Sequence, residues 1–134
     1  MFQREVARRL TASPGDRDYG ALSLLVQAQS RVESLFDVAP DRFRPVPRVW
    51  SAVVRLEPGA RDRTPIHPDF ARFVHGLHAR PRKTVRNSLA EGLGITTAVS
   101  AALLLAAGVD PGVRPCHVTP EQAGSLWEAY SGTG

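Results

Sequence analysis

The sequence predicts a mixed α/β segment built around an antiparallel strand pair, followed by a small all-helical segment. Three observations carry that reading. Val32, Ser34, Phe36 and Val38 alternate with Glu33, Leu35 and Asp37, and Val49 to Leu56 is a valine-rich run, so two strand signals stand close together. Further on the apolar period changes, with Phe70, Phe73, Val74 and Leu77 recurring at i, i+3, i+4 and i+7 as one buried helical stripe requires. Thr119-Pro120-Glu121-Gln122 then joins a capping threonine, a proline at the first helical position and a glutamine at the third, the pattern of a reciprocal helix cap.

In chain order, Phe2 to Leu10 is expected to be helical, with Val6 and Leu10 on the buried face and Arg4, Glu5, Arg8 and Arg9 solvating the rest. Ser13-Pro14-Gly15-Asp16 stops it. From Ala21 a second helix, apolar at Leu22, Leu25 and Val26, ends near Ser30. The strand pair comes next. Its link carries Pro45 and Pro47 at alternate positions, which removes two backbone donors, holds the link extended and can aim Phe43. Glu57 to Pro65 has linker composition, so the domain boundary falls there: 1–58 as the α/β part, 59–65 as linker, 66–134 as the helical part. Pro68 and Asp69 open the first helix of that part. Thr84 or the arginine-rich turn before it opens the next, ending near Gly92 and Gly94. Thr96 or Thr97 caps a third through Ala107, closed by Gly108 and followed by Pro111, and the last runs from Thr119 to about Tyr130.

The 134 residues are 43% hydrophobic, enough to bury a core, which excludes a wholly disordered chain. No apolar stretch reaches the roughly 18 residues of a membrane span. The longest, Ala98 to Val109, is interrupted by Ser100 and Gly108. Polar Gln3, Arg4 and Glu5 stand where a secretory signal would be apolar, so a cytoplasmic location is expected. The single cysteine, Cys116, forbids an internal disulfide, cannot build a cysteine-based zinc site and is expected to be inert.

Seventeen basic against thirteen acidic residues give a net charge of +4, and distribution matters more than the total. Arg80, Arg82, Lys83 and Arg86 cluster, and no acid stands between Asp69 and Glu91. This block reads either as a solvated helix start or as a phosphate-contact surface, to which Thr84 and Asn87 add neutral hydrogen-bonding groups. Phe43 reads equally as core or as a stacking platform for an unpaired base. Gly92-Leu93-Gly94 follows a helical pattern rather than a strand and is expected to be a helix end, not a phosphate-cradling loop. His75 and His78, with Asp69 or His67 nearby, suggest a metal site, but no cysteine or acid stands at ligand spacing around the pair and no metal is expected. Ser23 and Ser51 lack the context of an activated nucleophile. A helix-turn-helix over residues 68–92 is disfavoured because the cations gather at one helix start instead of lining a recognition face.

Four blocks of the chain resemble the RNA adenine N6-dimethyltransferase family, which includes the bacterial small-subunit rRNA dimethylase and the erythromycin-resistance methylases. They are Phe2-Gln3-Arg4-Glu5-Val6-Ala7-Arg8-Arg9-Leu10 with Ser13-Pro14-Gly15 and the Tyr19 to Gln27 run; Phe43-x-Pro45-x-Pro47-x-Val49-x-Ser51; Arg82-Lys83-Thr84-Val85-Arg86-Asn87; and Gly108-Val109-Asp110-Pro111 with Arg114-Pro115. Trp50, Ser88 and Pro81 depart from the family pattern.

The resemblance implies the late part of a Rossmann-like methyltransferase sheet followed by a helical rRNA-binding domain. It implies transfer of methyl groups from S-adenosylmethionine to two adjacent adenines of the 3′-terminal hairpin of small-subunit (16S) rRNA, in the 30S precursor during ribosome maturation. Phe43 would then pack against the flipped adenine, supported by Pro45, Pro47, Val49 and Ser51, and Arg80, Arg82, Lys83, Thr84, Arg86 and Asn87 would contact the rRNA backbone. The family's glycine-rich cofactor loop and its N-L-P-Y-type motif both fall before Met1 in this comparison. The chain is therefore expected to be the C-terminal half of a longer enzyme, to hold no cofactor-binding residues of its own and to be inactive without the other half. The strand pair should then present an open edge and an uncovered face, while the helical part folds alone. The rival reading is a non-catalytic basic RNA-binding or ribosome-assembly module.

Overall fold

The computed structural model describes residues 2–42, 49–58 and 68–132. Residues 43–48 and 59–67, which include Phe43, Pro45, Pro47 and the 59–65 linker, lie outside the described residues.

The chain opens with a two-residue strand, β1 (Phe2–Gln3), before helix α1 (Arg4–Thr11). Sequence periodicity places these residues in the helix, but Phe2 and Gln3 pair antiparallel with Ala52 and Ser51, and the Arg4 N–H donates to the Trp50 carbonyl at 2.9 Å. A partner some fifty residues away leaves no trace in local spacing. The buried face of α1 is Ala7 and Leu10, with Val6 half-buried. At its C-terminus the Gln27 side-chain amide donates to the carbonyls of Leu10 (2.9 Å) and Ala12 (2.7 Å), groups that the end of a helix leaves without an intrahelical partner.

Helix α2 (Ala21–Gln27) is held at its start by Ser23, whose Oγ accepts from the Gly20 N–H at 3.1 Å and donates to the Asp18 carbonyl at 3.3 Å. Leu24 is fully buried and Leu22 is exposed. The expected stripe of Leu22, Leu25 and Val26 is thus rotated, because Leu24 faces a core shared with the distant helices α3 and α6 introduced below. The helix also stops earlier than expected, since Ser30 already belongs to β2.

Strands β2 (Ser30–Val38) and β3 (Ser51–Pro58) form the expected antiparallel pair, with Ser30 opposite Pro58 and Val38 opposite Ser51. The sheet order is β1-β3-β2, so β3 is central and β2 is an edge. Val49 precedes β3 instead of opening it. The register breaks between Ser34 and Phe36, where Leu35 is the extra residue, an irregularity that bends and twists an edge strand. Leu35, Phe36 and Leu56 remain exposed, Phe36 to 58%.

The second part comprises α3 (Pro68–Leu77), α4 (Val85–Leu93), α5 (Thr97–Ala106) and α6 (Pro120–Gly132). All four residues of the predicted α3 stripe are buried. Each cap is made as its chemistry suggests: Thr84 accepts from the Asn87 N–H, Thr96 from the Val99 N–H, and Thr119 and Gln122 bond reciprocally at 3.1 and 3.0 Å. Phe70, Phe73, Trp127 and Tyr130 join α3 to α6, with Phe73 stacked on Tyr130 at 5.3 Å between ring centroids.

One core runs through both parts. Tyr19, Leu24 and Ala28 belong to the same buried cluster as Phe70, Leu77, Leu89, Leu104 and Leu126, and the Tyr19 hydroxyl donates to the Val118 carbonyl at 2.7 Å. The helical part does not enclose its own core, because α2 supplies one wall of it. The core thus crosses the expected boundary at 59–65 through pairing between segments remote in sequence.

Gly92 is where α3 and α4 touch. A Cβ built on Gly92 would meet backbone atoms of Gly76 at 2.0 to 2.5 Å, and backbone has no rotamer by which to yield. Gly94 is the left-handed C-cap of α4 at φ 67°. The Gly92-Leu93-Gly94 sequence is therefore a helix end, as expected. Gly92→Ala should lower unfolding free energy by about 1–3 kcal/mol or more, the range of core overpacking. Urea denaturation measures it, and a change below about 0.5 kcal/mol, the scale of an ordinary surface substitution, would show that the two helices separate freely.

Candidate nucleic-acid interface

The basic block sits on the connection between α3 and α4 and is fixed from beneath by one serine. Ser88 Oγ is buried, donates to the Leu77 carbonyl at 2.8 Å and accepts the Arg80 backbone N–H at 2.8 Å, so it ties the end of α3 to the start of the turn. The Lys83 N–H closes the turn onto the Arg80 carbonyl at 3.0 Å, with Pro81 in the second position, where a fixed φ is favourable. Two departures from the family pattern, Pro81 and Ser88, thus cooperate in one local structure.

Helix α4 also presents Glu91, on the same face as Ser88, toward this turn. Glu91 Oε2 accepts from Arg80 Nε at 2.6 Å and Glu91 Oε1 accepts from Lys83 Nζ at 2.9 Å. These hydrogen bonds, from Lys83 and then from Arg80, hold the Glu91 carboxyl below its ordinary carboxylate range. The block is free of acids along the sequence; folding brings in the first acid beyond it. Arg82 and Arg86 are exposed and make no ion pair among the described residues.

The backbone at the start of α4 is fully used. Val85 N–H donates to the Val113 carbonyl at 2.6 Å, Arg86 N–H to the Pro111 carbonyl at 3.2 Å, and Asn87 N–H to Thr84 Oγ1 at 3.3 Å. Any anion contact at this end must come from side chains. Thr84 serves as the cap, while the Asn87 side chain is half-buried. The docked 111–113 loop also places exposed Arg114 directly after Val113, beside the first turn of α4. Arg114 is a further cation that the linear clustering of charges does not reveal.

The other group of predicted residues lies elsewhere. Ser51 begins β3 and is paired on both sides, with Gln3 and Val38, and Val49 is exposed just before it. Trp50 lies under the Arg4 guanidinium, 5.2 Å from the ring centroid, and Arg4 reaches Asp37 at 3.7 Å. Arg4, Arg8, Val49 and Trp50 line a shallow cleft of about 320 Å³. β3 packs against α1, β1 and β2, whereas α4 packs against α3 and α5, so the structure does not join the 49–51 residues and the basic turn into one site.

No group of three potential metal ligands occurs among the described residues. His78 is instead a structural histidine. Its Nδ1 faces the Val74 carbonyl at 2.9 Å, as a donor in the neutral tautomer, and its Nε2 is buried with no hydrogen-bond partner among the described residues.

A family model described as ribosomal RNA adenine dimethylase matches residues 1–114. The chain belongs to the ribosomal RNA adenine dimethylase family. It is 47% identical over 133 residues to ribosomal RNA small subunit methyltransferase A of Desulfitobacterium hafniense, a match covering 96% of this chain and 47% of that relative. The corresponding protein of Pseudomonas aeruginosa is 43% identical over 120 residues, covering 86% of this chain and 41% of the relative. Among solved structures, a dimethyladenosine transferase from Plasmodium falciparum superposes with a TM-score of 0.81 at 18% identity, covering 98% of this chain and 56% of that one, which speaks for the fold alone. The 23S rRNA methyltransferase ErmE superposes with a TM-score of 0.61 at 26% identity, covering 96% of this chain and 52% of that one. The chain spans about half the length of the relatives it matches, and the small antiparallel sheet and six α-helices among the described residues are consistent with part of a methyltransferase fold. No single helix among the described residues is long and apolar enough to cross a membrane.

Burial lowers the His78 pKa below 6.5, the Val74 hydrogen bond partly opposes this, and His75 adds to the lowering. The unfolded chain therefore takes up the proton first as pH falls. Stability is expected to be full above pH 6.5 and to decline as pH drops from there toward the depressed folded value. Urea midpoints measured between pH 8 and pH 5 should show this slope in the wild type and a weaker one in His78→Leu; parallel slopes would remove His78 as the cause.

Proposed function

We propose that this chain is the C-terminal part of an S-adenosylmethionine-dependent small-subunit (16S) rRNA adenine N6,N6-dimethyltransferase. Its substrate would be two adjacent adenines in the 3′-terminal hairpin of the 30S precursor in the cytoplasm. The observation that carries this is the 47% identity, over nearly the whole chain, to a small-subunit rRNA methyltransferase. The exposed cations on the turn held by Ser88 support an rRNA contact, because arginine and lysine at phosphate oxygens position a protein on RNA without reading its sequence.

Residues 1–58 are assigned to the catalytic domain and 66–134 to the rRNA-binding domain. Phe43, with Pro45, Pro47, Val49 and Ser51, is assigned to the target adenine. Arg80, Arg82, Lys83, Thr84, Arg86 and Asn87 are assigned to the rRNA backbone, Thr84 through its cap and Arg82 and Arg86 by direct contact. The described glycines do not fit S-adenosylmethionine: Gly94 and Gly108 close helices, Gly92 is committed to packing on Gly76, and among the described residues no glycine turn follows a strand where a cofactor could approach. The cofactor site is therefore assigned to a further half of the enzyme. The exposed edge β2 and the apolar residues Leu35, Phe36 and Leu56 support a covering segment of that kind.

Two measurements test the reading. Calorimetric titration of S-adenosylmethionine into this chain should give no heat up to millimolar concentration, whereas one-to-one binding would mean a cofactor site within the chain and would overturn the assignment. Arg82→Ala with Arg86→Ala should weaken binding to a 3′-terminal small-subunit rRNA hairpin and reduce the slope of log affinity against log salt by about one to two. An unchanged slope would take both arginines out of the interface.

A further inference from the structure

Arg80 and Lys83 belong to the proposed rRNA contact, yet their charged atoms face an acid of the same chain. The geometry is that of an anion seat. Arg80 Nε and Lys83 Nζ each bond a different oxygen of one carboxylate, at 2.6 and 2.9 Å. Both backbones are fixed, Arg80 through Ser88 and Lys83 through the Arg80 carbonyl, so the two cations reach the seat from an ordered turn. The ion pairs remain wet, with Arg80, Lys83 and Glu91 side chains 61%, 52% and 44% exposed, so the carboxylate can leave at small cost.

A phosphodiester offers the same two anionic oxygens as a carboxylate and makes charge-assisted hydrogen bonds of the same kind. We propose that the seat between Arg80 and Lys83 is a backbone-phosphate subsite for rRNA, and that Glu91 occupies it in the free chain as an internal competitor. The proposal rests on the rRNA-binding reading. On that basis the basic turn works in two parts: Arg82 and Arg86 meet RNA directly, and Arg80 and Lys83 engage only where a phosphate falls in the seat and displaces Glu91. An acid held against a cationic surface weakens contact with polyanions that merely pass and leaves the well-placed one favoured.

The test is fluorescence anisotropy with a labelled 3′-terminal small-subunit rRNA hairpin across a potassium chloride series, using the full chain. Glu91→Gln keeps the shape and removes the charge; Glu91→Ala serves as a second variant, with circular dichroism confirming the fold of each. Both should bind about three- to tenfold more tightly at ~0.1 M salt, with a salt slope steeper by about one, since the two cations meet the phosphate with no displaced carboxylate charge left beside it. On an Arg80→Ala, Lys83→Ala background the same substitution should change affinity less than about twofold, because the seat is gone. Unchanged affinity and slope, or weaker binding on removal of Glu91, overturns the proposal, the second result meaning that Glu91 organises the cations for RNA. Absence of salt-dependent binding by the wild type and every variant overturns the rRNA reading itself, a different result from an unresponsive Glu91.

Discussion

The close approach of α3 and α4 at Gly76 and Gly92 is the constraint on which the rest of the helical part depends. With no side chain between them the two backbones meet, and Leu77 and Ser88 come within a hydrogen bond of each other. Ser88 can then hold both the last turn of α3 and the first residue of the basic connection. A wider crossing would separate those partners, and the cations would sit on an unanchored loop whose ordering entropy each RNA contact would have to overcome. Packing at two glycines thus determines how ready a charged surface several residues away is for a ligand.

The same logic explains which parts of the fold were legible in the sequence. The α3 stripe, the capping threonines, the reciprocal Thr119–Gln122 cap and the antiparallel pair all depend on residues a few positions apart, and local spacing displays such dependence. Three features did not show. Phe2 and Gln3 are strand because of Ala52 and Ser51, Leu24 is the buried apolar residue of α2 because of remote helices, and Glu91 joins the basic block because α4 packs beside the turn. In each case tertiary contact overrides a local pattern that was ambiguous on its own.

The candidate site divides along the same line. Charge clustering identifies Arg80, Arg82, Lys83 and Arg86, and the resemblance identifies the Arg82 to Asn87 block. Neither indicates that the α4 backbone amides are already satisfied by Val113, Pro111 and Thr84, nor that Arg114 lies beside them. The electrostatic surface is a product of folding: some cations of the block are partly neutralised, others are left open and one arrives from another loop. Phe43, Pro45 and Pro47, by contrast, lie outside the described residues and rest on the family resemblance.

The hydrogen bond from Tyr19 to the Val118 carbonyl spans 99 residues. Loop closure over such a distance is costly until the contacts that reward it exist, and a chain emerging from its N-terminus cannot make this contact before the segment leading into α6 has been synthesised. The wall that α2 gives to the core can pack on α3 first and is completed by the Val118 segment and α6. The RNA-facing turn is anchored within residues 77–91 and by the 111–113 loop, so in a growing chain it can be ordered before the wall from α2 is closed by the Val118 segment.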